Sequence, residues 1–305
     1  TTEKVNIKAF YIRRMLRIWP LFYLVLLISY IVIPNFFPVT ERSISITGIV
    51  LNSVFLTNIA LGFNYSAPFA SHLWTIGVEE QFYLSWPWVV KKLTSQYLLR
   101  TAIGVFLFVS LLKLLLHLFA HKNAFMAAIS FSWGYSKFNC ILTGVLIAIL
   151  LPKAGNTSIL VRTLYKYLCL KTIQLLNISM LAVLLIFNSY GFIQVPQQVY
   201  ACLFAIIILN VATNKQTIFQ LNYRWLNYIG KISFGIYMFH YMIAEILVRA
   251  SAAYLHTKSE WHQSILIYVS VYFFTILLAH LSFRYPEAYF RKLKKNWNLT
   301  KTTTS

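Results

Sequence analysis

The chain of 305 residues is 59% hydrophobic and only 11% charged, with a mean hydropathy of +0.65; soluble domains carry about 25% charged residues, and the polar helix faces that a large soluble helical protein needs are missing here. The net charge is +20, from 27 Lys and Arg against 7 acids, all of them Glu. These cations sit in short loops between apolar runs rather than along one soluble stripe, which excludes nucleic acid as a partner and matches the positive-inside pattern of membrane proteins.

A bilayer-crossing helix needs about 20 mostly apolar residues. In chain order, the candidate runs are 18–33, 44–62, 75–90, 101–119, 138–151, 176–191, 198–212, 230–249 and 264–283. Placing residues 1–17 and the tail from 284 onward in the cytoplasm puts 21 Lys and Arg inside and 5 outside, with Lys113 within a span. That orientation requires an even number of crossings. The weakest run is 44–62, which contains Thr47, Asn52, Ser53, Thr57 and Asn58, and it reads as a re-entrant or outer-surface helix. The expected fold is therefore an all-α polytopic membrane bundle with about eight spanning helices, forming one domain over 1–305 in a bacterial inner or cytoplasmic membrane, multi-pass, both ends inside. No internal repeat, linker or appended soluble domain is visible, and the Thr-rich stretch 299–305 reads as a frayed end. Cys140, Cys169 and Cys202 are too scattered for a metal motif and read as buried free thiols; no metal site is expected. The opening TTEKVNIKAF lacks Met and leads straight into a basic cluster. It reads as a loop between spans, with an upstream segment expected ahead of it.

Ionisable groups at membrane depth cost about 2.5–3.5 kcal/mol each on insertion scales and are functional candidates for that reason. Here they are Glu79, Glu80, Lys113, His117, His240 and Glu245, with His72 just outside. Adjacent helical residues point about 100° apart, so Glu79 and Glu80 cannot share a face. They mark an active site or, alternatively, an interfacial pair with a loop Arg or Lys. Arg14 and Arg17 lie one turn apart on a shared face and are either a phosphate clamp, for which arginine geometry is suited, or a positive-inside anchor. Ser233, Tyr237 and His240 form a polar stripe on an apolar helix; a lone histidine there is more often part of the core. Glu245 is spaced to pair with Arg249, and Lys113 is explained by snorkelling.

The stretch Ser71–Pro87, SHLWTIGVEEQFYLSWP, resembles the signature of the membrane acyltransferase-3 family through Trp74, Val78, Glu79, Gln81, Phe82, Tyr83, Leu84, Trp86 and Pro87. Phe10–Pro20, FYIRRMLRIWP, is similar to that family's R-x-x-R element through Arg14 and Arg17, and Gly230–Met242, GKISFGIYMFHYM, to its late-helix pattern through Ser233, Tyr237 and His240. The resemblance implies acyl transfer, with acyl-CoA as donor co-substrate and the hydroxyl of a cell-surface or exported glycan or lipid-linked sugar as acceptor. It favours Glu79 over Glu80, implies that Arg14 and Arg17 hold the CoA phosphates, and gives His240 and His72 catalytic or acceptor-positioning parts, with Glu80, Gln81, Tyr83, Trp74, Ser233 and Tyr237 around them. Gly77 stands where serine is commoner, and Arg284 where the family often has Glu. The family's proton-accepting histidine lies in an earlier helix, so the resemblance also implies about two further spans upstream (about ten in all) and little activity for this stretch alone. The competing class is a proton-coupled transporter or flippase relaying protons through Glu79 and His240, which predicts inverted repeats and broken helices.

Overall fold

The structure, a computed structural model, describes residues 6–149, 159–254 and 261–293. The Thr-rich tail, Lys4, Lys258, residues 150–158 of the basic connection and the end of the run 138–151 lie outside the described residues. The described residues fold into helices and turns without a strand among them.

The first helix, α1 (Ile7–Leu27), starts where Asn6 accepts a hydrogen bond from the Ala9 amide at 3.0 Å, and continues through a π turn, Ile28–Val32, and a 3-10 turn, Ile33–Asn35. Two short helices follow, α2 (Ile46–Ser53) and α3 (Thr57–Gly62), and then a 3-10 turn, Ser71–Leu73, leading into α4 (Trp74–Lys92). The remaining helices are α5 (Ser95–Phe119), α6 (Ala124–Gly134), α7 (Phe138–Ile149), α8 (Ile159–Leu168), α9 (Lys171–Ser189), α10 (Gln197–Thr213), α11 (Arg224–Tyr254) and α12 (Trp261–Arg284).

Among the described residues, five helical stretches are long and apolar enough to cross a membrane: Ile7–Asn35, Tyr97–Phe119, Lys171–Ser189, Arg224–Ser251 and Ser264–Leu293. The expectation of about eight is not met by length and composition, for separate reasons. Helix α4 carries Glu79, Glu80, Lys91 and Lys92. The 12 residues described for α7 and the 17 of α10 rise roughly 18 and 26 Å, short of a hydrocarbon core of about 30 Å. The run 44–62 is two helices rather than one, of 8 and 6 residues, and neither is long enough to cross.

The chain divides into two compact units, Thr1–Lys91 with Ala120–Ser136 and Tyr228–Ser305, and Lys92–Phe119 with Lys137–Asn227. The first unit buries Leu21, Phe22 and Val25 of α1, Leu73 and Ile76 around the start of α4, and Met238, Phe239 and Met242 of α11 in one apolar core. The second packs α10 against α7 and α9. Its polar seam closes the C-terminus of α8: Asn210 donates to the Leu168 carbonyl at 3.0 Å, and Gln174 and Asn214 donate to the Cys169 carbonyl at 2.9 and 3.0 Å, satisfying groups that a helix end leaves open. The three cysteines are free, but none is buried and Cys202 is exposed.

Candidate active site

The first unit brings three of the sequence-predicted elements together. Arg14, from α1, faces α4 and donates from Nε to Glu80 Oε1 at 2.7 Å and from a terminal nitrogen to Glu79 Oε2 at 3.2 Å. Its guanidinium lies 3.7 Å from the centroid of the Tyr83 ring, a cation–π distance. Trp19 adds a hydrogen bond from its indole to Glu80 Oε2 at 3.4 Å. The two carboxylates part as their helical positions require, yet one planar fork spans both. Glu80 is packed against α1, 14% exposed, whereas the Glu79 side chain is 47% exposed.

Arg17 is exposed and makes no ion pair with any described residue. The two arginines thus differ, although their shared face had suggested one clamp: Arg14 is engaged by carboxylates and Arg17 is open.

The second cluster joins the start of α4 to the middle of α11. His72 Nε2 lies 3.2 Å from the Met238 carbonyl, and its ring is flanked by His240, Tyr241 and Tyr237, with centroids at 5.1, 5.2 and 5.4 Å. The Tyr237 hydroxyl donates to the His72 carbonyl at 2.6 Å and meets the Thr75 hydroxyl. His240 Nδ1 bonds the Tyr237 carbonyl at 2.6 Å. Burial, and after it the His240 imidazole, pull the His72 ring down to about 4, although the Met238 and Tyr237 carbonyls favour its charged form. Thr75 and Glu79 stand at i and i+4 on one face of α4, so the two clusters are neighbours.

Other predicted residues have different surroundings. Ser233 is exposed and donates back to the Gly230 carbonyl at 2.9 Å, so the polar stripe on α11 reduces to Tyr237 and His240. Gln81 donates to the Phe55 carbonyl and to Asn58 Oδ1, each at 2.8 Å; it ties α4 to the break between α2 and α3. Trp74 packs edge-on against Tyr135 at 4.9 Å. Glu245 pairs with Arg249 at 2.7 Å as its spacing predicted. Glu287, beyond the position occupied by Arg284, accepts from Ser282 at 2.8 Å. Sequence reasoning missed Trp19, Thr75 and Tyr241. For the last two a signal existed: each lies four residues from a residue already singled out, Glu79 or Tyr237.

The sequence is similar to known proteins over nearly its whole length. The acyltransferase domain of the acyltransferase-3 type matches residues 1–284. O-acetyltransferase OatA of Staphylococcus aureus strain NCTC 8325 / PS 47 and that of strain COL are each 26% identical over 310 residues, covering 95% of this chain and 48% of theirs. The chain therefore spans about half the length of the curated relatives it matches. No solved structure matches.

Proposed function

The chain belongs to the acyltransferase-3 family, and from that premise we propose that it transfers an acyl group, acetyl in the first instance, from acyl-CoA to a hydroxyl of an exported glycan or a lipid-linked sugar. The observation that carries this reading is the half-open carboxylate of Glu79, held by Arg14 beside the His72, Tyr237 and His240 cluster. In the reaction the thioester C–S bond breaks and an ester C–O bond forms. A base takes the proton of the attacking hydroxyl, and the leaving thiolate is protonated in turn.

Each part of the site has a job in that sequence. Arg14 fixes the orientation of Glu79, whose charge stabilises a base that becomes protonated, as a carboxylate does for a histidine in other acyl-transfer sites. Glu80, packed on Arg14 and Trp19, keeps the guanidinium in place. The open Arg17 offers a cation to the phosphates of the donor. A positioned acceptor beside the thioester turns an encounter into an intramolecular step.

Glu79→Gln keeps size and hydrogen bonding but removes the charge. Acyl transfer from labelled acetyl-CoA in membranes containing the full-length protein with this substitution is expected to fall by about a hundredfold or more, with expression unchanged. Normal transfer by a normally expressed variant would sink the assignment.

A further inference from the structure

The second unit cannot balance its own charge. Between Glu80 and Glu245 the chain has no acid, so this unit, Lys92–Phe119 with Lys137–Asn227, holds no acidic side chain. It carries ten Lys and Arg, three in the first segment and seven in the second. No ion pair can form inside it, and the anions that balance it come from outside the unit.

Three of these cations are gathered at one corner. The Cys169 carbonyl closes the junction of α8 and α9 and accepts from Gln174 at 2.9 Å and from Asn214 at 3.0 Å. Lys166 lies in the last turn of α8, three residues before that carbonyl, and Lys171 is the first residue of α9, two after it. Lys215 directly follows Asn214. The Ile218 amide donates to Gln174 Oε1 at 3.0 Å and holds the segment around Lys215 against the same junction. All three lysines are exposed. Helix stability does not account for Lys171, because a cation in the first turn faces the positive end of the helix dipole. An anion held at the corner reverses that penalty.

The apolar surface beside the corner says what kind of anion fits. Helix α8 has ten residues and rises roughly 15 Å, too short to cross a membrane. Arg162 and Lys166 share one face of it, and Val161, Leu164, Tyr165 and Leu168 share the opposite one, the pattern of a helix lying in the headgroup plane. Leu164, Leu170, Ile218 and Phe219, beside the three lysines in the chain, are exposed. A soluble phosphate uses the lysines and leaves these side chains in water. A phospholipid uses both, its phosphate on the ammonium groups and its acyl chains on the apolar rim.

We propose that Lys166, Lys171 and Lys215 form a site for the phosphate of an anionic phospholipid in the cytoplasmic leaflet, the side to which the positive-inside pattern assigns this corner. These residues belong to the other unit from Arg14 and Glu79, and the site does not depend on the acyl-transfer reading.

Binding to the folded state raises the unfolding temperature, which gives the test its readout. The purified full chain in a neutral detergent is titrated with dioleoylphosphatidylglycerol, with dioleoylphosphatidylcholine and with inorganic phosphate. Two variants lose equal charge: one combines Lys166→Gln, Lys171→Gln and Lys215→Gln, the other Arg224→Gln, Lys231→Gln and Lys292→Gln. The expected result is a saturable rise with phosphatidylglycerol alone. Its apparent affinity falls about tenfold or more in the first variant and about twofold or less in the second. No saturable rise in the wild type overturns the proposal. An equal rise with phosphatidylcholine removes the role of charge, and an equal rise with inorganic phosphate removes the lipid; either overturns it. Equal losses in the two variants also overturn it, leaving a diffuse basic surface in place of a site. If the first variant fails to fold, Lys166→Gln, Lys171→Gln and Lys215→Gln taken singly decide, and unchanged affinity in all three overturns the proposal.

Discussion

Arg14 divides one guanidinium between two carboxylates that are otherwise held very differently. Glu80 has two donors, Arg14 at 2.7 Å and the Trp19 indole at 3.4 Å, and is 14% exposed. Among the described residues, Glu79 has Arg14 alone, at 3.2 Å, and is 47% exposed. Truncating the more enclosed partner leaves Arg14 Nε and the indole without an acceptor, which costs about 2 kcal/mol, whereas truncating the open one costs at most about 1 kcal/mol. Glu80→Ala is therefore expected to lower the thermal unfolding temperature of the purified chain clearly more than Glu79→Ala, while Glu79 remains the residue on which transfer depends. Equal losses for the two variants would refute the division. The parting of the carboxylates was legible in the sequence, because adjacent helical positions diverge by about 100°. Their meeting on Arg14 was not: the partner lies 65 positions earlier than Glu79, and a basic residue at the mouth of a span reads equally well as an anchor.

At the scale of elements, the run 44–62 shows what polar residues in an apolar segment are for. Asn52, Ser53, Thr57 and Asn58 were reason enough to expect no crossing there. The structure turns most of them inward. Asn52 donates to the Gly48 and Tyr65 carbonyls at 2.8 Å, Thr57 to the Leu73 carbonyl at 3.0 Å, and Asn58 accepts from Gln81. The break between α2 and α3 was not legible, since neither glycine nor proline marks it; Phe55 takes it up with a positive φ of 62°, a strained conformation for a bulky residue that stacking on Phe22 at 4.4 Å and the bond from Gln81 hold in place. Gly77 is what lets α4 approach this break. A Cβ there would stand 2.6 Å from the Phe55 carbonyl oxygen and 2.1 Å from Thr57 Oγ1, so the serine commoner at this position in the family does not fit this backbone. Gly77→Ala is expected to destabilise the chain by about 1–3 kcal/mol. Gly104→Ala in α5, with nothing within 4 Å, is expected to be neutral or to stabilise by up to about 1 kcal/mol. Thermal unfolding of the two variants side by side checks this, and a Gly77→Ala chain as stable as its parent would remove the close approach from the account.

For the whole molecule, helix length and loop charge speak to different crossings. Length marks five stretches of the described chain as able to span, and they coincide with five of the nine apolar runs read from the sequence. It leaves α4, α7 and α10 undecided, because charge or shortness takes each below the requirement. The distribution of 27 basic residues speaks to those helices: the positive-inside pattern is satisfied when α4 carries the chain back to the cytoplasm before Lys91 and Lys92. Single cysteines in a background lacking Cys140, Cys169 and Cys202 separate the cases. With a membrane-impermeant maleimide, Arg42→Cys is expected to react in intact cells, and Lys92→Cys and Lys215→Cys only after the membrane is opened. The Lys92 result is the one on which the site depends. Helix α4 holds both carboxylates and begins next to His72, and only a crossing α4 places Glu79 at a depth where a charge costs about 2.5–3.5 kcal/mol to insert. Labelling of Lys92→Cys in intact cells would return α4 to the outer side, and with it the reason for reading Arg14 and Glu79 as a reacting pair rather than an interfacial one.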